Sequence, residues 1–299
     1  MEKNQPLAIK LALITVFFWS TVATAFKLAL TQASPMQVVV ISSFTSIVVL
    51  AFIYSVKKDK SQQSLIHYFK LSPMRYLFAG TINPVLHYWV LFAAYDKLPA
   101  QVAQSINYTW AIVLSLLAVP VLKQRFTKGD MIGLGFCYLG VFIVITRFEF
   151  DDLTHISSFG VALAFLSTVL WACYWLANTK LKAPPVTSLL LCFLCAIPSL
   201  LVIIALNADS FNFTLQNTVA GVYVGLFEMS LAFVFWLKAM RIAESTATIS
   251  SLIYISPFLS LVFIYFILGE PIYATTLTGL GIICVGLILQ KKINKVIYG

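Results

Sequence analysis

Ten apolar stretches, each about as long as a bilayer is thick, follow one another along almost the whole chain. A helix of roughly 20 residues crosses the ~30 Å hydrocarbon layer and satisfies its own backbone hydrogen bonds there. The stretches run 10–30, 36–56, 75–95, 99–120, 129–146, 158–179, 186–206, 217–237, 245–268 and 272–290. With 60% hydrophobic residues among 299 positions and a mean hydropathy of +0.92, no stretch remains for a soluble domain. The expected class is all-α integral membrane with ten transmembrane helices.

Charge supplies the orientation. Of the 20 basic residues, 17 fall at the N-terminus, in the loops 57–75 and 121–130, in the Lys180/Lys182 and Lys238–Glu244 turns and in the C-tail. Lys27, Lys97 and Arg147 are the remainder, and the opposite loops carry Asp96, Glu149, Asp151, Asp152 and Asp209. Basic loops stay cytoplasmic, so both termini are expected there, in a multi-pass protein of the cell (inner) membrane. The net charge of +9 then consists of topology signals touching membrane lipid rather than a nucleic-acid surface. Lys3, Lys10 and Ala23-Thr24-Ala25 imitate a cleavable leader. Apolar character continues through Leu30, so an uncleaved first span is expected.

The second half repeats the first. A shift of 146 places Gly133, Gly135 and Gly140 on Gly279, Gly281 and Gly286, Tyr108 on Tyr254, and Lys123-Gln124 on Gly269-Glu270. A shift of 145 places Gly80 on Gly225 and Asn83 on Glu228, and one of 152 places Trp19 on Trp171. Five spans per unit is an odd number, so the second copy must enter the membrane from the other side. Two inverted five-helix repeats are expected, 1–149 and 150–299, enclosing a midplane site that alternates its access. The glycine rows of the fifth and tenth spans suit close helix contact.

The residues that carry a family resemblance are Phe18-Trp19-Ser20, Leu170-Trp171-Ala172, Ser256-Pro257, Leu268-Gly269-Glu270-Pro271 and the Gly279-x-Gly281 and Gly286 row. With them the whole chain resembles the EamA-type branch of the drug/metabolite transporter superfamily. That resemblance implies ten helices in two five-helix repeats and a small-molecule substrate. Within the branch, Ile106-Asn107-Tyr108-Thr109-Trp110 is similar to a stretch of the aromatic amino-acid exporters of the YddG type. The chain departs from it at Ala111, where proline is expected, and at Lys123-Gln124.

An ionisable side chain deep in a bilayer costs about 2.5–3.5 kcal/mol on insertion scales and normally faces a cavity or a partner. Glu228 in the eighth span and His87 in the third meet that test. Asn83 lies four residues before His87, on the same face of a regular helix. Since the third and eighth spans are repeat counterparts, Asn83/His87 and Glu228 are expected to face one another. Glu228 would receive an amino or cationic group and His87 would exchange a hydrogen bond with substrate. The competing role is an interhelical bond that locks the halves. Lys27 reads as a snorkelling interface residue.

Trp19, Tyr88, Asn107, Tyr108, Trp110, Trp171, Trp175 and Tyr254 complete the candidate substrate-binding set, as an aromatic-walled cavity for a planar or cationic substrate. Packing between helices is the alternative, and Trp236, at a span end, reads as part of an interface belt. Asn83-Pro84 and Ser256-Pro257 are candidate hinges.

Catalytic signatures are absent. No phosphate-binding glycine loop is present, and His67, His87 and His155 lack metal-ligand spacing. Cys137, Cys173, Cys192, Cys195 and Cys284 all fall inside spans, as small apolar residues. Neither cofactor nor metal is expected. The function read from the sequence is therefore export of small metabolites, amino acids and especially aromatic ones, with proton coupling through Glu228 or His87 left open. The alternatives are efflux or uptake of other metabolites or cationic drugs, and an integral membrane enzyme.

Overall fold

The computed structural model describes residues 3–31, 33–57, 63–123, 126–148, 156–178, 180–207, 211, 213–244, 249 and 252–298. Lys58, Lys60, Gln124, Arg125, Glu149, Asp151, Asp152, His155 and Asp209, together with the expected boundary at 149/150, lie outside the described residues. Among those described there is no strand. In chain order the long helices are α1 (Gln5–Leu30), α2 (Pro35–Lys57), α3 (Pro73–Lys97), α4 (Ala100–Val121), α5 (Lys128–Thr146), α6 (Ser158–Asn178), α7 (Pro185–Leu206), α8 (Leu215–Met240), α9 (Leu252–Leu268) and α10 (Ala274–Tyr298). All but α9 are long and apolar enough to cross a membrane. The chain is thus a multi-pass membrane protein. The ninth span, expected from 245, is described as a helix only from Leu252.

Helix starts follow from the residues at them. Pro35, Pro73 and Pro185 open α2, α3 and α7, where the missing N–H has no helical partner to lose. The Asn4 side chain accepts from Leu7 N ahead of α1. Thr127 and Asp130 form a reciprocal capping box at the start of α5. Asp130 also accepts from Gln290 and Asn294 of α10, each at 2.9 Å. That ties α5 to α10 at the end nearest the C-terminus.

Four of the described helices are not regularly wound. In α3, Thr81–Leu86 is π-helical, Asn83 departs from helical geometry (φ −129°, ψ 116°), and the Asn83–Pro84 bond is cis. In α8, Val224–Ala232 is π-helical, and in α9 so is Ile264–Leu268. The α4 helix is interrupted at Tyr108–Thr109, between Ala100–Asn107 and Trp110–Leu122.

The most extensive helix contact is α5 against α10. A Cβ on Gly140 would strike the Gly279 carbonyl, and one on Gly279 would lie 2.6 Å from the Gly140 carbonyl oxygen. Only glycine permits that approach. Gly135 and Gly281 face open space instead, so the expected glycine row narrows to the positions on the contact face. A second pair of close approaches joins α3 to α7 and α8 to α2. Gly80 lies against the Cys192 carbonyl, and Gly225 against that of Ser42. Cys192 is buried with its thiol free, a packing residue at this contact.

Candidate functional site: an aromatic cavity with one carboxylate

A cavity of about 410 Å³ lies among α1, α3, α4, α6, α8, α9 and α10. Its walls follow from helical spacing. In α1, Trp19, Val22 and Phe26 repeat at i, i+3 and i+7, and in α3 so do Tyr88, Leu91 and Tyr95; such residues share one face. Gln104 and Tyr108 lie one turn apart before the break in α4, followed by Trp110. Trp171 and Trp175, again one turn apart, form the α6 wall.

Trp171 organises the rings. Its plane stacks on His87 at 4.7 Å between centroids and on Tyr174 at 5.5 Å. It meets Trp110 and Trp175 edge-on, at 6.5 and 5.8 Å. On the opposite wall Trp19 packs against Trp236 at 5.3 Å and Phe233 at 6.0 Å. The site offers flat apolar faces with few polar groups among them.

Those polar groups are specific. Tyr88 donates its hydroxyl to Glu228 Oε1 at 3.2 Å, joining α3 to α8. The other carboxylate oxygen, Glu228 Oε2, is buried without a hydrogen-bond partner among the described residues, as are Gln104 Oε1 and the indole nitrogen of Trp175. His87 is 3% exposed and its Nδ1 lies 3.0 Å from the Ser167 carbonyl. A carbonyl only accepts, so Nδ1 carries the proton, and in the neutral ring Nε2 is the acceptor.

Ten of the eleven residues singled out in the sequence line this cavity: Trp19, His87, Tyr88, Asn107, Tyr108, Trp110, Trp171, Trp175, Glu228 and Tyr254. Asn83 does not. It is 1% exposed in the irregular turn of α3, which packs against α7. Its expected place one turn from His87 assumed regular winding, and the wider turn with a non-helical Asn83 breaks that phase. The residue that reaches Glu228 is Tyr88, not His87 or Asn83.

Two further residues gain partners. Lys27, expected to snorkel, donates its ammonium to the carbonyls of Tyr95 at 2.8 Å and Leu98 at 3.0 Å, at the end of α3. Trp236, expected in an interface belt, also lines the cavity wall. Lys291, read only as a topology signal, also reaches the wall. Among the described residues no three His, Cys, Asp or Glu side chains converge as for a metal.

Comparison with known proteins agrees with this architecture. The model of the EamA-like transporter family matches residues 6–146 and again 158–290. The chain belongs to the EamA-like transporter family. A protein of Clostridium kluyveri described as an uncharacterized transporter is 23% identical over 295 residues, covering 95% of this chain and 92% of that one. One of Archaeoglobus fulgidus with the same description is 23% identical over 281 residues, covering 93% and 96%. A solved crystal structure at 16% identity superposes with a TM-score of 0.67 over 99% of this chain and 100% of that one, a likeness of fold. The protein is a membrane transporter, and its substrate is a small molecule.

Proposed function

We propose that the protein exports amino acids, aromatic ones above all, as a secondary transporter working by alternating access around the central cavity. The observation that carries this reading is Glu228. One of its oxygens is oriented by Tyr88 and the other has no partner among the described residues, on the wall of an aromatic cavity. A carboxylate so placed accepts an ammonium group, with Gln104 Oε1 as a second acceptor, while the tryptophan faces hold a planar side chain. The Asn107-Tyr108-Thr109-Trp110 resemblance to aromatic amino-acid exporters points the same way.

Alternating access rests on reading the chain as ten spans in two inverted halves, 1–149 and 150–299. Three observations support it. The family model matches twice. The π-helical segments of α3 and α8 stand at positions related by the shift of 145. Gly80 on α7 and Gly225 on α2 make equivalent contacts with the roles of the halves exchanged. The distribution of basic residues supports cytoplasmic termini, in a protein we assign to the inner membrane. His87 is already engaged by Ser167 and Trp171, so Glu228 is the group we assign to any coupling proton.

Flux of labelled amino acids in proteoliposomes, with and without a pH gradient, tests this. Glu228→Gln removes a charge-assisted contact and should weaken transport roughly 10- to 100-fold. Trp110→Ala should weaken it by about 30-fold. Both variants should insert normally, and normal flux by both would remove the site.

A further inference from the structure

At the end of the cavity opposite Lys291, the turn joining α3 to α4 is held from two sides. From α1, Lys27 donates to Tyr95 O at 2.8 Å and Leu98 O at 3.0 Å. From the connection between α9 and α10, Glu270 Oε1 accepts from Ala100 N at 2.9 Å, and the Pro271 carbonyl accepts from Gln101 Nε2 at 2.9 Å. Thr276 Oγ1 then donates to Gln101 Oε1 at 2.6 Å. Each charge matches a helix end. The Lys27 ammonium sits on the last carbonyls of α3, where the helix dipole is negative. The Glu270 carboxylate sits on the first N–H groups of α4, where it is positive. Directly beneath, Tyr95 and Phe26 line the cavity while 2% and 1% exposed, with ring centroids 5.3 Å apart. This end of the cavity is plugged.

Lys27 and Glu270 also share a recess, with Asp96. Yet they make no ion pair with each other. Among the described residues the ion pair is that of Lys97 with Asp96, at 2.8 Å, and Glu270 Oε2 is buried without a partner. The two opposite charges thus line one recess, each held by a helix end of one turn.

We propose that Lys27, Glu270 and the α3–α4 turn form the gate on this face, closed in the present structure. The proposal rests on the alternating-access reading. When the turn withdraws, Lys27 loses the carbonyls of α3 and Glu270 loses the N–H of Ala100. The two side chains then pair with each other in the recess they already share. Closed and open forms each satisfy both charges by a different exchange of partners, which is what a two-state latch needs.

The test uses a reporter thiol in the cavity. Ala111 lines it and is half-buried. Ala111→Cys is exposed to a membrane-impermeant methanethiosulfonate from the gate face and, in inverted vesicles, from the face of the termini, with the unsubstituted chain as blank. Glu270→Gln keeps an acceptor for Ala100 N but removes the ion pair of the open form, so it should lower the labelling rate from the gate face about tenfold and raise it from the other face. Lys27→Met loses its partners in both forms and should shift the rates less. Lys27→Arg, which keeps the charge and donors, should stay near the parent rate and shows that the site tolerates replacement. Parent-like or faster labelling from the gate face in Glu270→Gln overturns the gate; if substrate still shifts labelling between faces, alternating access survives that result. Equal labelling from both faces in every variant, unmoved by substrate, overturns both.

Discussion

The α3 and α8 helices carry the same disturbance at equivalent positions and use it differently. Each is π-helical for part of its length and approaches a helix of the other half through a glycine. In α3 the irregular turn contains Pro84 and buries Asn83 away from the cavity, and α3 reaches the site only beyond it, through His87 and Tyr88. In α8 the wide turn has no proline and itself contains Glu228. Its extra carbonyl is taken up locally, since Ser230 Oγ donates to Gly225 O at 2.7 Å. One helix uses the disturbance to pack and the other to hold the carboxylate. The same winding at two positions related by the 145-residue shift therefore does not imply the same chemistry.

The comparison breaks first at the glycines. Gly225→Val and Gly80→Val each set a branched side chain against a backbone carbonyl, which cannot move as a side-chain tip does. Overpacking of this kind costs about 1–3 kcal/mol. Both variants should lower the detergent melting temperature to a similar extent. A large loss in one and none in the other would mean that the α3–α7 and α8–α2 contacts are not equivalent.

A smaller effect sharpens the chemical asymmetry. Tyr88→Phe removes the donor that orients Glu228 but keeps the ring, so affinity for the proposed amino-acid substrate should fall roughly fivefold, the worth of one hydrogen bond. Asn83→Ala, outside the cavity, should leave affinity within about twofold, its change appearing in stability instead. Binding measured by isothermal calorimetry separates the two. Equal losses of affinity would return Asn83 to the site.

The spans and most of the cavity could be read from the sequence because the physics behind them is local. An apolar run of bilayer length announces its helix, and an ionisable residue such as Glu228 at midplane announces its need for a partner. What escaped were effects of phase and of distance. Asn83 was misplaced because its position assumed unbroken winding. The partners of Lys27, the carbonyls of Tyr95 and Leu98, lie 68 and 71 residues away and leave no local mark. The same holds for Trp236, whose neighbour Trp19 is on another helix. Val22, Phe26, Leu91 and Tyr95 were within reach, since they follow Trp19 and Tyr88 at helical spacing.

The smallest effect concerns how α8 is held to α2 beside the wide turn. Ser46 and Ser230 meet at 2.6 Å between hydroxyl oxygens, and both are buried. Hydrogen bonds between helices in lipid average only about 0.6 kcal/mol, because the separated helices also find partners there. Ser46→Ala should therefore cost little more than that. Ser230→Ala should cost more, since it also frees the Gly225 carbonyl within the π-helical segment. A double-mutant cycle on detergent unfolding isolates the shared bond. A coupling energy well above ~2 kcal/mol, beyond what such bonds have yielded in membranes, would mean that this serine pair holds the winding of α8, and with it Glu228, in place.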